Sequence, residues 1–169
     1  MSQITTVIFD MYETLVENGP HLWQATFQEI IDSQQLPVST GDLWREWKVA
    51  EVNFRNRRLE PDSPFESYFE GWRDCFVKAF RVFGLDGDPE AASHRSILDM
   101  SLRAPYEETV EALKAIQGDW RMAVLSNAMT AICCPTWPHW AWILPRSCLR
   151  KEAALTNPIR DYLGKCCAG

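Results

Sequence analysis

The 169-residue chain carries 17 Lys and Arg against 23 Asp and Glu, a formal charge of −6, which argues against nucleic acid or an anionic membrane as its main partner. Its 46% hydrophobic and 24% charged content is that of a globular protein of one-domain size. No apolar run approaches the roughly 20 residues of a membrane span, and no basic-then-apolar leader opens the sequence, so a cytoplasmic setting is expected.

Residues 4–9, Ile-Thr-Thr-Val-Ile-Phe, are a β-branched apolar run that ends at Asp10. This pattern predicts a buried strand of a parallel sheet with Asp10 at its carboxyl end, the edge at which open α/β sheets bind ligands. From about residue 20 to 103 the periodicity turns helical. Leu43, Trp47, Ala50 and Phe54 recur at helical spacing, as do Phe69, Trp72, Phe76, Phe80 and Phe83, and each stripe is expected to be helix-packing core. Pro61 to Pro64 and Gly84 to Pro89 mark turns between helices. Pro105 opens a helix over 106–116 with Glu107 and Glu108 in its first turn; Gly118 and Asp119 end it, and Trp120 to Leu125 form a second strand. An all-helical insertion just after the first strand is expected to cap a sheet edge. The predicted fold class is therefore α/β: a Rossmann-like parallel sheet core, incomplete, made of residues 1–16 and 104–128, with an inserted α-helical cap over 17–103.

Composition breaks after Asn127. Residues 1–128 hold 12 basic against 21 acidic side chains, residues 129–169 hold 5 against 2, and five of the six cysteines lie within the last 37 positions. Two adjacent cysteine pairs and a singleton do not form Cys-x-x-Cys zinc knuckles, and nothing supports the oxidising compartment a disulfide framework needs. The genetic code supplies another reading. Joining the last base of each codon to the first two of the next, from Ala128 onward, forces Asp from Met129-Thr130. It allows a run such as DDRYLLPNLATLGLD after Ser126-Asn127-Ala128, an amphipathic helix ended by Gly. Further on, Leu155 to Leu163 permits Lys-Pro-Asp-Pro-Arg-Leu-Phe. The third frame meets a stop at once, because Met-Thr contains TGA. Residues 129–169 are thus expected to be an aberrant tail read in a shifted frame.

Two motifs carry chemistry. One is the strand leading into Asp10-Met11-Tyr12-Glu13-Thr14-Leu15; the other is Val124-Leu125-Ser126-Asn127. A carboxylate at a strand end can attack an electrophile and form a covalent intermediate, or it can simply cap the following turn. Ser126 and Asn127 can bind an anionic group, or cap a helix, or both.

In combination, over residues 1–128, these motifs resemble the haloacid dehalogenase superfamily with a helical cap after the first strand. The resemblance implies Asp10 as catalytic nucleophile, with Ser126 and Asn127 holding the substrate's anionic group and Thr14 supporting the nucleophile loop through a side-chain hydrogen bond. Superfamily phosphatases carry a second Asp two residues after the nucleophile to protonate the leaving oxygen. Here that position is Tyr12, as in the 2-haloacid dehalogenases, whose leaving halide needs no proton. Arg45, in Leu43-Trp44-Arg45, is similar to the cap arginine that receives halide or carboxylate in those enzymes, although a solvated arginine fits the sequence equally well. The implied reaction is halide displacement from a small anionic 2-haloacid through an aspartyl ester, with no metal and no cofactor. The alternatives are a small-molecule phosphatase of the same superfamily, which would use Mg²⁺, and an inactive truncated remnant. No nucleic acid or membrane partner is implied, and a homodimer is compatible with this reading.

The chain departs from the superfamily pattern in three respects. Glu13 stands where a Gly is usual, a position whose tight backbone Glu is expected to strain. The third-motif lysine has no counterpart; Lys151 lacks the Lys-Pro context, which arises only in the shifted frame. Without that cation Asp10 loses a partner that would keep it ionised, and without the fourth-motif acids there is no phosphatase-type Mg²⁺ site.

Overall fold

A computed structural model describes residues 4–126 and the backbone of 148–150. The predicted tail, Asn127 and Lys151 lie outside the described residues, apart from that short stretch of backbone. In chain order the elements are β1 (Thr6–Phe9), α1 (Pro20–Gln34), α2 (Thr40–Arg57), α3 (Tyr68–Phe83), α4 (Pro89–Ser101), α5 (Glu107–Ile116), β2 (Arg121–Ser126) and β3 (Cys148–Arg150). The chain divides into two compact units, one of the residues up to Glu17 and from Ser101 on, the other Asn18–Met100. Among the described residues no helix is long and apolar enough to cross a membrane.

The first unit is built on a parallel sheet in the order β1-β2-β3. Parallel neighbours need a crossover, and α5 feeds directly into β2. In register, Thr6 pairs with Arg121 and Phe9 with Val124, while Ser126 pairs with Arg150. Met122, Ala123 and Val124 of β2 are buried, as a central strand requires. β1 departs from the sequence expectation. It starts two residues later than the apolar run, and Ile4 and Ile8 are 71% and 55% exposed. The β-branched composition was enough to form the strand, but burial depends on what packs against it, and β1 is an edge of the described sheet with one side chain in two left open.

The second unit is helical, and its core is aromatic. Leu43, Trp47, Ala50 and Phe54 of α2 are buried, as the stripe predicts. Trp47 sits against Trp23, Phe27, Trp72 and Phe76, with ring centroids 5.3 to 5.9 Å apart in tilted or edge-on arrangements, the geometry that aromatic quadrupoles favour. The indole N–H groups of Trp47 and Trp72 find no hydrogen-bond partner among the described residues. In the second stripe Trp72, Phe76 and Phe80 are buried, whereas Phe83 is 38% exposed. Phe83 is the last residue of α3, where the helix ends at Gly84 in the left-handed region (φ 62), and the stripe runs out of helix to pack against.

Local signals account for the helix boundaries. Pro20 occupies the first turn of α1. The Ser39 side chain accepts from Asp42 N at the start of α2. Ser67 and Glu70 form a capping box at the start of α3. Gly71 lets α3 approach α2 closely, since a Cβ there would lie 2.2 Å from the Phe54 ring.

Candidate active site

The site is assembled at the carboxyl edge of the parallel sheet. β1 ends at Phe9, opposite Val124, so one further step sets Asp10 level with Leu125, next to Ser126 at the end of β2. Two motifs separated by more than a hundred residues are thus brought to one edge by strand register alone. Asp10 is exposed and Ser126 is 3% exposed, so the carboxylate faces solvent at an edge whose neighbouring strand is buried.

Beyond Asp10 the backbone turns back on itself. Leu15 N and Val16 N both donate to Met11 O, at 2.8 and 3.0 Å, and Glu13 N donates to Val16 O at 2.8 Å. This tight closure puts Glu13 in the left-handed region with φ 61, as the missing Gly led one to expect; an L-residue there is strained by its Cβ. Tyr12 is half-buried and bridges to Val16 through the backbone, and Met11, Leu15 and Val16 are buried.

The loop is held from outside by the segment before β2. Glu17 N donates to Ala104 O at 3.0 Å and Tyr106 N donates to Leu15 O at 3.2 Å. The hydroxyl of Thr109 donates to the same Leu15 O at 3.0 Å in a buried hydrogen bond. Thr14, expected to support the loop, is exposed, and among the described residues its hydroxyl makes no hydrogen bond. The turn points that side chain outward, and sequence gave no sign that a threonine 94 residues further on would take the acceptor.

Arg45 belongs to the helical unit. Its side chain is 71% exposed and paired with Asp42 one turn earlier on α2, off the buried stripe, as its spacing requires. The Asp42 carboxyl lies below the usual carboxylate range, first because it accepts from Ser39 and then because of Arg45. Asn127 lies outside the described residues. Arg150, which sequence reasoning did not single out, is set opposite Ser126 by the β2–β3 register; nothing in the spacing of the motifs marks that position. Among the described residues no group of three His, Cys, Asp or Glu side chains could hold a metal ion.

No protein-family model matches this chain, and no curated protein matches it either. Solved structures do. L-2-haloacid dehalogenase from Xanthobacter autotrophicus, in a form with chloropropionic acid covalently bound, matches with a TM-score of 0.67 at 14% identity, over 91% of this chain and 59% of its own. The L-2-haloacid dehalogenase PA0810 matches at 0.60 and 22% identity, over 97% of this chain and 70% of its own. YfnB from Bacillus subtilis bound to magnesium, a HAD-hydrolase by name, matches at 0.70 and 11% identity, over 89% and 65%. The chain spans 66% of the length of another matching dehalogenase. At these identities the likeness establishes the fold: haloacid dehalogenase-like, with a small parallel core and a helical unit inserted after its first strand.

Proposed function

We propose that the protein is a hydrolase with Asp10 as nucleophile, and that it displaces halide from a small 2-haloacid. The observation that carries this reading is the strand register, which sets Asp10 beside Ser126 at the carboxyl edge of the sheet, where such sheets bind ligands. An Asp10 carboxylate oxygen attacks the halogen-bearing carbon, the carbon–halogen bond breaks, and the halide leaves with the electron pair. Water then cleaves the aspartyl ester, releasing a 2-hydroxy acid and restoring the carboxylate. Ser126, with Asn127 after it, supplies donors for the substrate carboxylate, and Tyr12 stands where a phosphatase would need an acid. Arg45 is the candidate cation for halide or carboxylate on the resemblance alone; among the described residues its side chain pairs with Asp42.

The test is chloride release from 2-chloropropionate by the full chain and by Asp10→Asn, with intact-mass detection of the ester. Activity that falls at least about a thousandfold in the variant, at the scale of a lost nucleophile, supports the reading. Hydrolysis of a generic phosphate ester only when Mg²⁺ is added would replace it with the phosphatase reading. A folded chain that does neither is the inactive remnant.

A further inference from the structure

We propose that Thr109 is the positioning residue of the loop that carries Asp10, a role that rests on the reading of Asp10 as nucleophile. The loop closes on Met11 O, and its outer end is presented to α5 through one carbonyl, Leu15 O, which accepts from both Tyr106 N and Thr109 Oγ1. Thr109 and Leu15 are each 5% exposed and Val16 is fully buried, so water does not compete for this bond. A threonine hydroxyl near a helix start ordinarily returns to backbone of its own turn. Thr109 instead sends its hydroxyl out of α5 to a residue 94 positions away. Its neighbour one turn on, Leu113, is buried and apolar, and a hydroxyl in such a place is tolerated only because it is bonded.

The consequence is mechanical. α5 runs into β2, and β2 ends at Ser126. Through Thr109 the same helix that delivers the anion-binding strand also fixes the outer end of the nucleophile loop. Strand register sets Asp10 beside Ser126, and the bond to Thr109 holds the turn behind Asp10 to the same element that leads into β2; misplacement of the reacting groups by even about 1 Å can cost on the order of a hundredfold in rate. Thr109 touches neither substrate nor reacting atoms; it acts through Leu15 and the turn behind Asp10.

The experiment compares the full chain with Thr109→Val, which keeps the shape and removes the hydroxyl, and Thr109→Ser, which keeps the hydroxyl. Amide hydrogen exchange is followed in peptides spanning residues 11–17 and 121–126, alongside kcat and KM on 2-chloropropionate. In the valine variant exchange in 11–17 should rise about fivefold to tenfold, the scale of one net hydrogen bond, with 121–126 within about twofold; the serine variant should return both to the parent values. Where the parent turns over, kcat should fall with the valine change while KM holds, and serine should rescue it. Unchanged exchange in 11–17, an equal rise in both peptides, or a failure of serine to rescue would overturn the proposal. An inactive parent whose loop still responds to the valine change supports the pin and refutes the role of Asp10 instead.

Discussion

Replacing Glu13 with glycine should stabilise the protein, although it removes a charged side chain from the site loop. Glu13 sits at φ 61, where an L-residue pays about 1–2 kcal/mol for the clash of its Cβ with the following carbonyl. Its side chain is exposed and makes no hydrogen bond or ion pair among the described residues, so the change forfeits no contact. The Glu13 N–H to Val16 O bond of 2.8 Å belongs to the backbone and survives. Against the gain stands the greater freedom of an unfolded glycine, about 0.5–1 kcal/mol. The net expectation is a stabilisation of roughly 0.5–1 kcal/mol, a rise of about 1–4 °C in Tm for a chain of this size. Glu13→Ala is the control: it removes the same charge but keeps a Cβ, and should leave Tm within about 1 °C. The assay is denaturant-dependent hydrogen exchange of a peptide spanning residues 4–17, which reports the core unit, with calorimetry of the full chain beside it. A glycine variant less stable than the parent, or an alanine variant that gains as much, would refute the strain argument and assign the effect to charge.

The remaining predictions concern the helical unit. Gly71→Ala would drive a Cβ to 2.2 Å from the Phe54 ring and should destabilise the unit by about 1–3 kcal/mol; urea unfolding read by tryptophan fluorescence checks this, and adding Phe54→Leu should recover part of the loss. Hydrogen bonds from the Ser67 side chain and then its backbone hold the Glu70 carboxyl below its ordinary value. A carboxyl lowered by folding contributes stability that is present above its unfolded pKa and lost as pH falls through the folded one. The urea midpoint should therefore drop on acidification below about pH 4.5, the unfolded glutamate range, and Ser67→Ala should flatten that drop; an unchanged slope counts against the capping box. Burial pushes the Cys75 thiol up to about 12, so it should resist alkylation near pH 8 in the folded chain and react once denatured. Peptide mapping of the labelled site decides, and fast labelling of native Cys75 would show that the α3 core opens readily.

Much of the fold was legible in the sequence because the signals were local. Helical spacing identified the buried stripe of α2, and the turn expected at Gly84 is where α3 ends; the caps at Ser39 and Ser67 were not singled out from the sequence, although they too act within a few residues. The Asp10 and Ser126 motifs were readable as well, since an apolar run that stops at a functional side chain marks a strand end. Glu13 could be recognised as strained, because a left-handed turn is a property of the backbone and the residue placed there.

Tertiary structure decided what depends on partners distant in sequence. Ile4 and Ile8 have the composition of buried strand residues, yet they stand open, because burial belongs to whatever covers a strand. Phe83 continues the apolar period of α3 and is still half-exposed at its end. Asp10 and Ser126 become neighbours only through the parallel register of β1 on β2. Thr14 and Thr109 are both threonines near a turn, and no rule of spacing says which holds the loop. That choice fell to Thr109 because α5 packs where its hydroxyl meets Leu15 O in a place water does not reach, and a buried carbonyl takes the donor that folding brings to it.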